Sequence, residues 1–211
     1  MHPTVLYDYF RSSASYRVRI ALNLAGLEYE TVSVNLLEQD HKTPDHLARN
    51  PQGLVPVLDI DGHRLTQSLA ILEYLNSTRD LGLLPPNPIQ RAKIQALTYC
   101  LAVDVHPVCN MSVVRHAADL AGGQEGLVEG WIRHFIRPGL LAFEEVLSDF
   151  GQHPFCTGNT PSLADVCLIP QLYNADRWGV DYADCKRIQA GADACAENPA
   201  FQAALPEVVA P

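Results

Sequence analysis

Apolar residues in the first part of the chain recur with two different periods. Runs that alternate apolar and polar side chains, typical of short strands, are separated by stretches with the spacing of an amphipathic helix. The polar segment Leu36–Pro51 is predicted as a connection. This order, β-α-β followed by β-β-α, predicts an α/β domain of the thioredoxin-like type. The predicted elements are strand Thr4–Tyr7, helix Ser15–Leu24, strand Tyr29–Asn35, strand Val55–Ile60, strand His63–Leu65 and helix Ser68–Asn76.

The proline-rich segment Leu83–Pro88 separates this region from one with a different pattern. Its prolines can continue neither a helix nor a strand, so we interpret it as a stiff linker. Beyond it the apolar positions follow helical spacing only, and long helices are predicted at Ile89–Val105 and Leu127–Phe150. A break is expected at His106-Pro107 and a bend at Pro138. We therefore predict an α/β domain at residues 1–83 and an all-α domain at residues 89–211.

Composition and charge narrow the classes of partner. Of 211 residues, 47% are hydrophobic and 18% are charged, which is typical of a packed globular protein. The formal net charge of -9 disfavours nucleic acid and anionic membranes, because both attract basic surfaces. No signal-peptide pattern follows Met1 and no apolar run could span a membrane, so we expect a cytosolic protein. An acidic substrate would need local arginines to hold it against the overall charge.

All six cysteines lie at residue 100 or later, outside the predicted α/β domain. None forms a C-x-x-C pair or lies at metal-ligand spacing from a histidine, so buried reduced thiols are favoured and no metal site is predicted. A thioredoxin-like domain that carries out its own redox chemistry would place a cysteine near the start of its first helix. The α/β region has none, so any thiol chemistry there requires a bound thiol cofactor.

The segment Arg11–Leu22 joins the first strand to the first helix and carries the most informative residues. Ser12, Ser13 and Ser15 fall at the helix start, where backbone N–H groups and the positive end of the helix dipole are available. A serine hydroxyl at this point can donate to an anion, although helix capping is the plainer role for serine. Arg11 precedes these serines and can hold a carboxylate.

The run from Ser12 to Leu22, Ser-Ser-Ala-Ser-Tyr-Arg-Val-Arg-Ile-Ala-Leu, resembles the signature S-S-C-x-W-R-V-R-I-A-L of zeta-class glutathione transferases. Two positions depart from it: Ala14 stands where the family has cysteine, and Tyr16 where it has tryptophan. The class includes maleylacetoacetate isomerases and related maleylpyruvate isomerases. The latter also lack the cysteine, so the departure leaves the substrate open. Further matching motifs, spread over nearly the whole chain, are Asn50-Pro51, Val55-Pro56, Gln67–Leu75 and Ser162-Leu163-Ala164-Asp165.

The resemblance implies a glutathione transferase fold, with an α/β thioredoxin-like N-terminal domain and an all-α C-terminal domain, and also a homodimer with glutathione as cofactor. The implied reaction is cis–trans isomerisation of a small unsaturated dicarboxylic acid, maleylacetoacetate to fumarylacetoacetate, by reversible thiolate addition. Alternatives are maleylpyruvate isomerisation, general glutathione transfer or α-haloacid dehalogenation, and a non-catalytic glutathione-fold binding module. A glutaredoxin-like reductase is disfavoured, because the first domain lacks a cysteine.

The same resemblance assigns roles to individual residues. Ser12, Ser13 and Arg11 are the expected catalytic residues, and Arg11 and Arg177 are expected to bind the substrate carboxylates. The residues expected to bind glutathione are Ser12, Ser13, Ala14, Ser15, Tyr16, Arg17, His41, Val55, Gln67, Ser68, His106, Asn110, Met111 and Ser112.

Several of these positions have plainer interpretations. Val55-Pro56 resembles the family's cis-proline, which we expect, whereas proline alone would indicate the start of an edge strand. Gln67-Ser68 opens a helix whose N-terminus can hold a carboxylate, and a simple serine N-cap is compatible with that. The remaining alternatives are a solvated loop for His41, a helix end for His106 and a salt bridge to Asp176 for Arg177.

Overall fold

The computed structural model describes residues 3–211 and divides into two compact units. The first consists of the residues up to Gly82 together with the closing segment Glu197–Pro211, and the second is Leu83–Ala196. Apolar residues in this closing segment follow helical spacing, so the sequence predicts that it belongs to the all-α domain. In the structure it belongs to the first unit, because its helix Pro199–Gln202 packs against the first helix of that unit.

A four-stranded mixed sheet forms the centre of the first unit. The spatial order is β2-β1-β3-β4, with β1 and β2 parallel and the other neighbours antiparallel. The two-residue turn Asp61-Gly62 joins β3 to β4, and its residues have positive φ angles of 53° and 80°. All four predicted strands are confirmed, with small shifts at their ends. They are β1 Val5–Asp8, β2 Glu30–Ser33, β3 Val57–Ile60 and β4 His63–Thr66.

Helices make up most of the remaining regular structure. None of those within residues 3–211 is long and apolar enough to cross a membrane. The α-helices, numbered along the chain, are α1 Ser13–Leu24, α2 Pro44–Arg49, α3 Ser68–Arg79, α4 Pro88–Tyr99, α5 Met111–Leu120, α6 Leu127–Leu147, α7 Leu163–Arg177, α8 Lys186–Ala196, α9 Pro199–Gln202 and α10 Pro206–Val209. Short 3-10 turns occur at Asp40–Lys42 and Ser148–Phe150, and a π-helix at Cys100–Val105.

The segment predicted as a connection contains α2, which the apolar pattern does not reveal. α2 begins after Thr43, whose hydroxyl accepts the His46 N–H at 3.4 Å, and Pro44 occupies its first turn. The helix is short and mostly polar, with His46 as its one buried residue. A single turn of this kind is stabilised by its cap and its contacts rather than by an apolar stripe.

α1 is buried almost completely, because α3 and α9 both pack against it. Its apolar residues, such as Val18 and Ile20, are fully buried, as the periodicity predicts. Arg17 and Arg19 are buried as well, with 1% and 0% exposure. Their burial therefore requires internal partners, since a charge without one would be costly.

In the second unit, the long helix predicted at Ile89–Val105 changes character after Tyr99. α4 ends there, and Cys100–Val105 continues as a π-helix before the predicted break at His106-Pro107. Gly139 of α6 faces this segment so closely that a Cβ atom at Gly139 would overlap Val105 Cγ2. The glycine thus allows α6 to approach the π-helix, and the two elements pack together.

A capping box formed by Ser162 and Asp165 opens α7. The Asp165 carboxylate accepts the Ser162 N–H at 2.8 Å and the Ser162 hydroxyl at 2.7 Å, and its other oxygen accepts the Cys156 N–H at 2.8 Å. Asp165 is completely buried, so these donors replace its hydration. The cap therefore ties the start of α7 to the preceding loop.

Candidate active site

The loop between β1 and α1 ends in a tight turn that presents Ser12. The Ser12 N–H donates to the Tyr9 carbonyl at 2.8 Å, and Ser12 is the N-cap of α1. Its Oγ accepts the Ser15 N–H at 3.3 Å. Capping uses Ser12 Oγ only as an acceptor, so the hydroxyl hydrogen can still be donated to an anion. No acidic residue in the first turn of α1 competes for the helix dipole.

The residues from Ser12 to Tyr16 differ in how accessible they are to a ligand. Ser12 and Ala14 are partly accessible, whereas Ser13 is 9% exposed and Ser15 is fully buried. Tyr16 is likewise buried, at 1% exposure. The side chains of Ser15 and Tyr16 therefore contribute to packing, while Ser12 and Ala14 can meet a ligand.

At the start of α3, the first backbone N–H groups have no partner within residues 3–211 and form a second set of donors. Gln67 has a positive φ of 69° and provides no side-chain cap, and Ser68 is the first helical residue. The simple serine N-cap considered for Ser68 is therefore wrong. The Ser68 hydroxyl instead accepts Arg17 Nη1 at 3.3 Å, and Gln67 Nε2 donates to Gln52 Oε1 at 2.7 Å. An uncapped helix N-terminus with a buried guanidinium beside it suits a carboxylate.

The Val55-Pro56 peptide bond is cis, which confirms the expectation. In the described part of the chain, neither the N–H nor the C=O of Val55 makes a hydrogen bond, so this backbone edge can pair with an extended ligand. The preceding carbonyl, of Leu54, accepts His46 Nε2 at 3.0 Å and Asn50 Nδ2 at 2.9 Å. These two buried side chains fix the position of the backbone just before Val55.

His41 lies in the 3-10 turn Asp40–Lys42, which approaches the backbone at Gly53. Its Nδ1 is buried and has no hydrogen-bond partner within residues 3–211. Partial burial lowers the pKa of His41 below the usual histidine value, and the neighbouring charges of Lys42 and His46 lower it further. The imidazole is therefore neutral near pH 7 and gains charge only in more acidic solution.

Four of the residues expected to bind glutathione, all in the second unit, follow the end of the π-helix. The His106 N–H donates to the Leu101 carbonyl at 2.9 Å, so His106 does end a helical segment. Asn110 is the N-cap of α5, and its Oδ1 accepts the Ser112 N–H at 3.0 Å and the Ser112 hydroxyl at 2.9 Å. Met111 begins α5. These contacts explain how the segment folds, and they leave the binding roles as predictions.

Arg11 and Arg177 are both exposed and lie against aromatic rings. The Arg11 guanidinium carbon is 4.9 Å from the centre of the Phe10 ring, and that of Arg177 is 5.4 Å from the Trp178 ring. Within the described residues, neither arginine forms an ion pair with a carboxylate. The salt bridge considered for Arg177 is absent there, because Asp176 Oδ1 accepts the Tyr182 hydroxyl instead, at 2.8 Å.

The chain's own thiols are poorly suited to act as nucleophiles. Burial raises the pKa of Cys109 to about 11, and burial together with the Asp165 carboxylate raises the pKa values of Cys156 and Cys195. Burial also raises the pKa of Cys100 and of Cys185. These five side chains remain protonated near neutral pH, whereas thiol nucleophiles react as thiolates.

Family models match both parts of the chain. The glutathione S-transferase N-terminal domain matches residues 2–77, and the glutathione S-transferase C-terminal domain matches residues 126–203. The chain belongs to the glutathione S-transferase family, and the predicted two-part fold class is confirmed.

Within that family the similarity is to isomerases. The chain is 56% identical to maleylacetoacetate isomerase of Rhizobium meliloti, over 99% of this chain and 98% of that protein. A holo structure of a bacterial zeta-class maleylpyruvate isomerase superimposes with a TM-score of 0.94, at 36% identity and 98% coverage of both chains. Maleylacetoacetate isomerase of Anaeromyxobacter dehalogenans, solved with bound GSH, gives 0.88 at 40% identity, covering 99% of this chain and 97% of that one. The zeta-class resemblance is thereby confirmed.

Proposed function

We propose that the protein is a glutathione-dependent cis–trans isomerase that converts maleylacetoacetate to fumarylacetoacetate. The observation that carries the proposal is the set of backbone donors at Val55 and at the start of α3 that have no partner within residues 3–211, in a chain whose buried thiols disfavour the thiolate form. Such a chain needs an external thiol, and the 56% identity to a maleylacetoacetate isomerase favours this reaction.

The residues of the first unit fit a tripeptide thiol with a carboxylate at each end. The uncapped N-terminus of α3, with Gln67 and Ser68, would hold the γ-glutamyl carboxylate, and the buried Arg17 adds positive charge there. The Val55 backbone would pair with the cysteinyl unit, and His41 would meet the glycyl carboxylate. The resemblance adds Ser13, Ala14, His106, Asn110, Met111 and Ser112 to the proposed binding residues. It also adds Ser15 and Tyr16, whose buried side chains leave only their backbone at the start of α1 for such a role.

Glutathione supplies the nucleophilic thiolate whose reversible addition to the double bond allows rotation about it. The chain's part is to favour that ionised form. Ser12 can donate its hydroxyl hydrogen while its oxygen caps α1, and the helix N-terminus adds positive potential at the same place. Both effects stabilise a thiolate relative to a thiol.

The substrate is proposed to be a small unsaturated dicarboxylic acid, with Arg11 and Arg177 as its carboxylate ligands. Both guanidinium groups are exposed and lack internal carboxylate partners within the described residues, so their charge is available. Maleylpyruvate is the alternative substrate, because Ala14 replaces the class cysteine and the zeta-class maleylpyruvate isomerase superimposes closely. The resemblance further leads us to propose a cytosolic homodimer.

The proposal predicts that isomerisation depends completely on glutathione. The desalted protein is assayed on maleylacetone and on maleylpyruvate, with glutathione and without it. S-methylglutathione is the matched control, since it keeps both carboxylates and the peptide backbone but has no thiol. We expect turnover with glutathione and none in the other two conditions. Appreciable turnover without a free thiol would rule out the proposed mechanism, and the faster substrate identifies the isomerase type.

A further inference from the structure

The side chain of Arg19 connects three segments of the first unit. Arg19 lies in α1 and is completely buried. Its Nη1 donates to both carboxylate oxygens of Asp8, at 2.9 and 2.7 Å, and its Nη2 donates to the Phe10 carbonyl at 2.9 Å. Its Nε donates to the Ala204 carbonyl at 3.1 Å. All three nitrogens of the guanidinium group are therefore engaged, in the fixed planar geometry of that group.

Two of these contacts fall on the loop that presents Ser12. Asp8 is the last residue of β1, and Phe10 lies in the turn closed by the hydrogen bond between the Ser12 N–H and the Tyr9 carbonyl. Arg19 thus holds the loop at its start and in its middle, and the turn holds its end. Since Asp8 is 3% exposed, water does not compete for this ion pair.

The third contact reaches the closing segment of the chain. Ala204 follows α9 and is fully buried. A second hydrogen bond joins α1 to the same segment, because Asn23 Nδ2 donates to the Ala200 carbonyl at 3.0 Å. Asn23 makes no contact with the β1–α1 loop among its described hydrogen bonds. Arg19 and Asn23 therefore both bind the closing segment, but only Arg19 also binds the β1–α1 loop.

We propose that Arg19 is a positioning residue for Ser12, through which the closing segment of the chain helps to set the catalytic loop. This rests on the proposed function of Ser12 as the donor to the glutathione sulfur. Arg19 is inaccessible and cannot touch a ligand. It acts by fixing where the Ser12 hydroxyl lies at the start of α1, since a small displacement of a donor weakens the charge stabilisation that it provides.

The test uses the double variant Asp8→Asn/Arg19→Gln. Replacing both members of the pair leaves no uncompensated buried charge, which removal of one partner alone would do. The shorter glutamine side chain loses the planar fork that serves the Phe10 and Ala204 carbonyls together. Asn23→Ala is the matched control, because it also removes a bond from α1 to the closing segment. Thermal unfolding of both variants establishes that they are folded.

Three readouts are compared with the unaltered protein. Amide hydrogen exchange at Ser12, without glutathione, reports the turn itself. The ultraviolet absorbance of bound thiolate across pH reports the thiol pKa, and steady-state kinetics report kcat. In the double variant we expect faster exchange, a higher thiol pKa and a loss of kcat of about tenfold or more, which is less than the roughly hundredfold or larger loss caused by removing a charge-stabilising donor altogether. Asn23→Ala should leave all three unchanged.

Two results would overturn the inference. One is a folded double variant with unaltered exchange at Ser12 and unaltered kcat. The other is an equal change in Asn23→Ala, which would show general loosening of α1 rather than positioning. Failure of the proposed function is distinguishable, because the unaltered protein would then show no glutathione-dependent turnover, while hydrogen exchange would still report whether Arg19 holds the loop.

Discussion

Replacing Arg177 with methionine separates recognition of a diacid from general glutathione chemistry. The Arg177 guanidinium is exposed and stacks on Trp178, and within the described residues it forms no ion pair. Methionine keeps an unbranched side chain that can still cover the indole ring. The substitution should therefore cost little stability, since stacking of an exposed cation on a ring contributes only about 0.5–1 kcal/mol.

The expected effect on the substrate is larger. A hydrogen bond from a charged donor contributes about 1.5–3 kcal/mol, and each 1.4 kcal/mol is about a factor of ten in affinity. If Arg177 binds a substrate carboxylate, Arg177→Met should raise KM for the diacid about tenfold to a hundredfold. Glutathione binding should change little, because its carboxylates are assigned to His41 and to the start of α3.

Two assays are run on the same variant: isomerisation of maleylacetone, and conjugation of glutathione to the neutral electrophile chlorodinitrobenzene. Arg115→Met is the control, because Arg115 is also exposed and its loss changes the net charge equally. We expect a loss that is specific to the diacid and absent in Arg115→Met. Parallel losses on both substrates would mean that Arg177 has a structural role, and no loss on either would mean that it is an ordinary surface residue.

Two further predictions concern serine and histidine. Ser12→Ala should lower kcat about a hundredfold to a thousandfold, and more than Ser13→Ala or Ser15→Ala, because Ser12 is the accessible donor at the start of α1. Equal, mild losses in all three variants would show that these hydroxyls only cap the helix. The pKa of His41 is lowered mainly by burial, so S-methylglutathione should bind more tightly only as pH falls below the usual histidine range, where the ring becomes charged. Equilibrium titration across pH checks this, and the same pH dependence in His41→Ala would contradict it.

The long helices could be predicted from the sequence because each repeats its apolar period several times. The strands are four residues each, and they are marked by short β-forming runs between turn and loop residues. α2 could not be predicted, since it is too short to repeat any period and depends on the Thr43 cap. The π-helix at Cys100–Val105 has the same residue types as a continuation of α4. It differs only in hydrogen-bond spacing, so no apolar pattern separates the two.

The site could be predicted only in part. The motif locates Ser12 and Val55, and the cis bond before Pro56 agrees with it. Periodicity treats arginine as a polar surface residue, so it does not reveal that Arg17 and Arg19 are buried. The signal that was available is their placement in the same run of α1 as consecutive apolar residues. The hydrogen bond between His46 Nε2 and the Leu54 carbonyl joins two segments of the folded chain, and the spacing of residues in the sequence does not predict it.

The proposed roles of Arg11 and Arg177 are compatible with a net charge of -9. Acidic residues outnumber Lys and Arg by 24 to 15, and several arginines are neutralised by a carboxylate, as Arg19 is by Asp8 at 2.7 Å. Such a pair attracts an anion only weakly, because the two charges cancel within a few ångströms. Arg11 and Arg177 are held differently. The aromatic faces of Phe10 and Trp178 orient the guanidinium groups without neutralising them, and the N–H donors in the guanidinium plane stay available to a carboxylate.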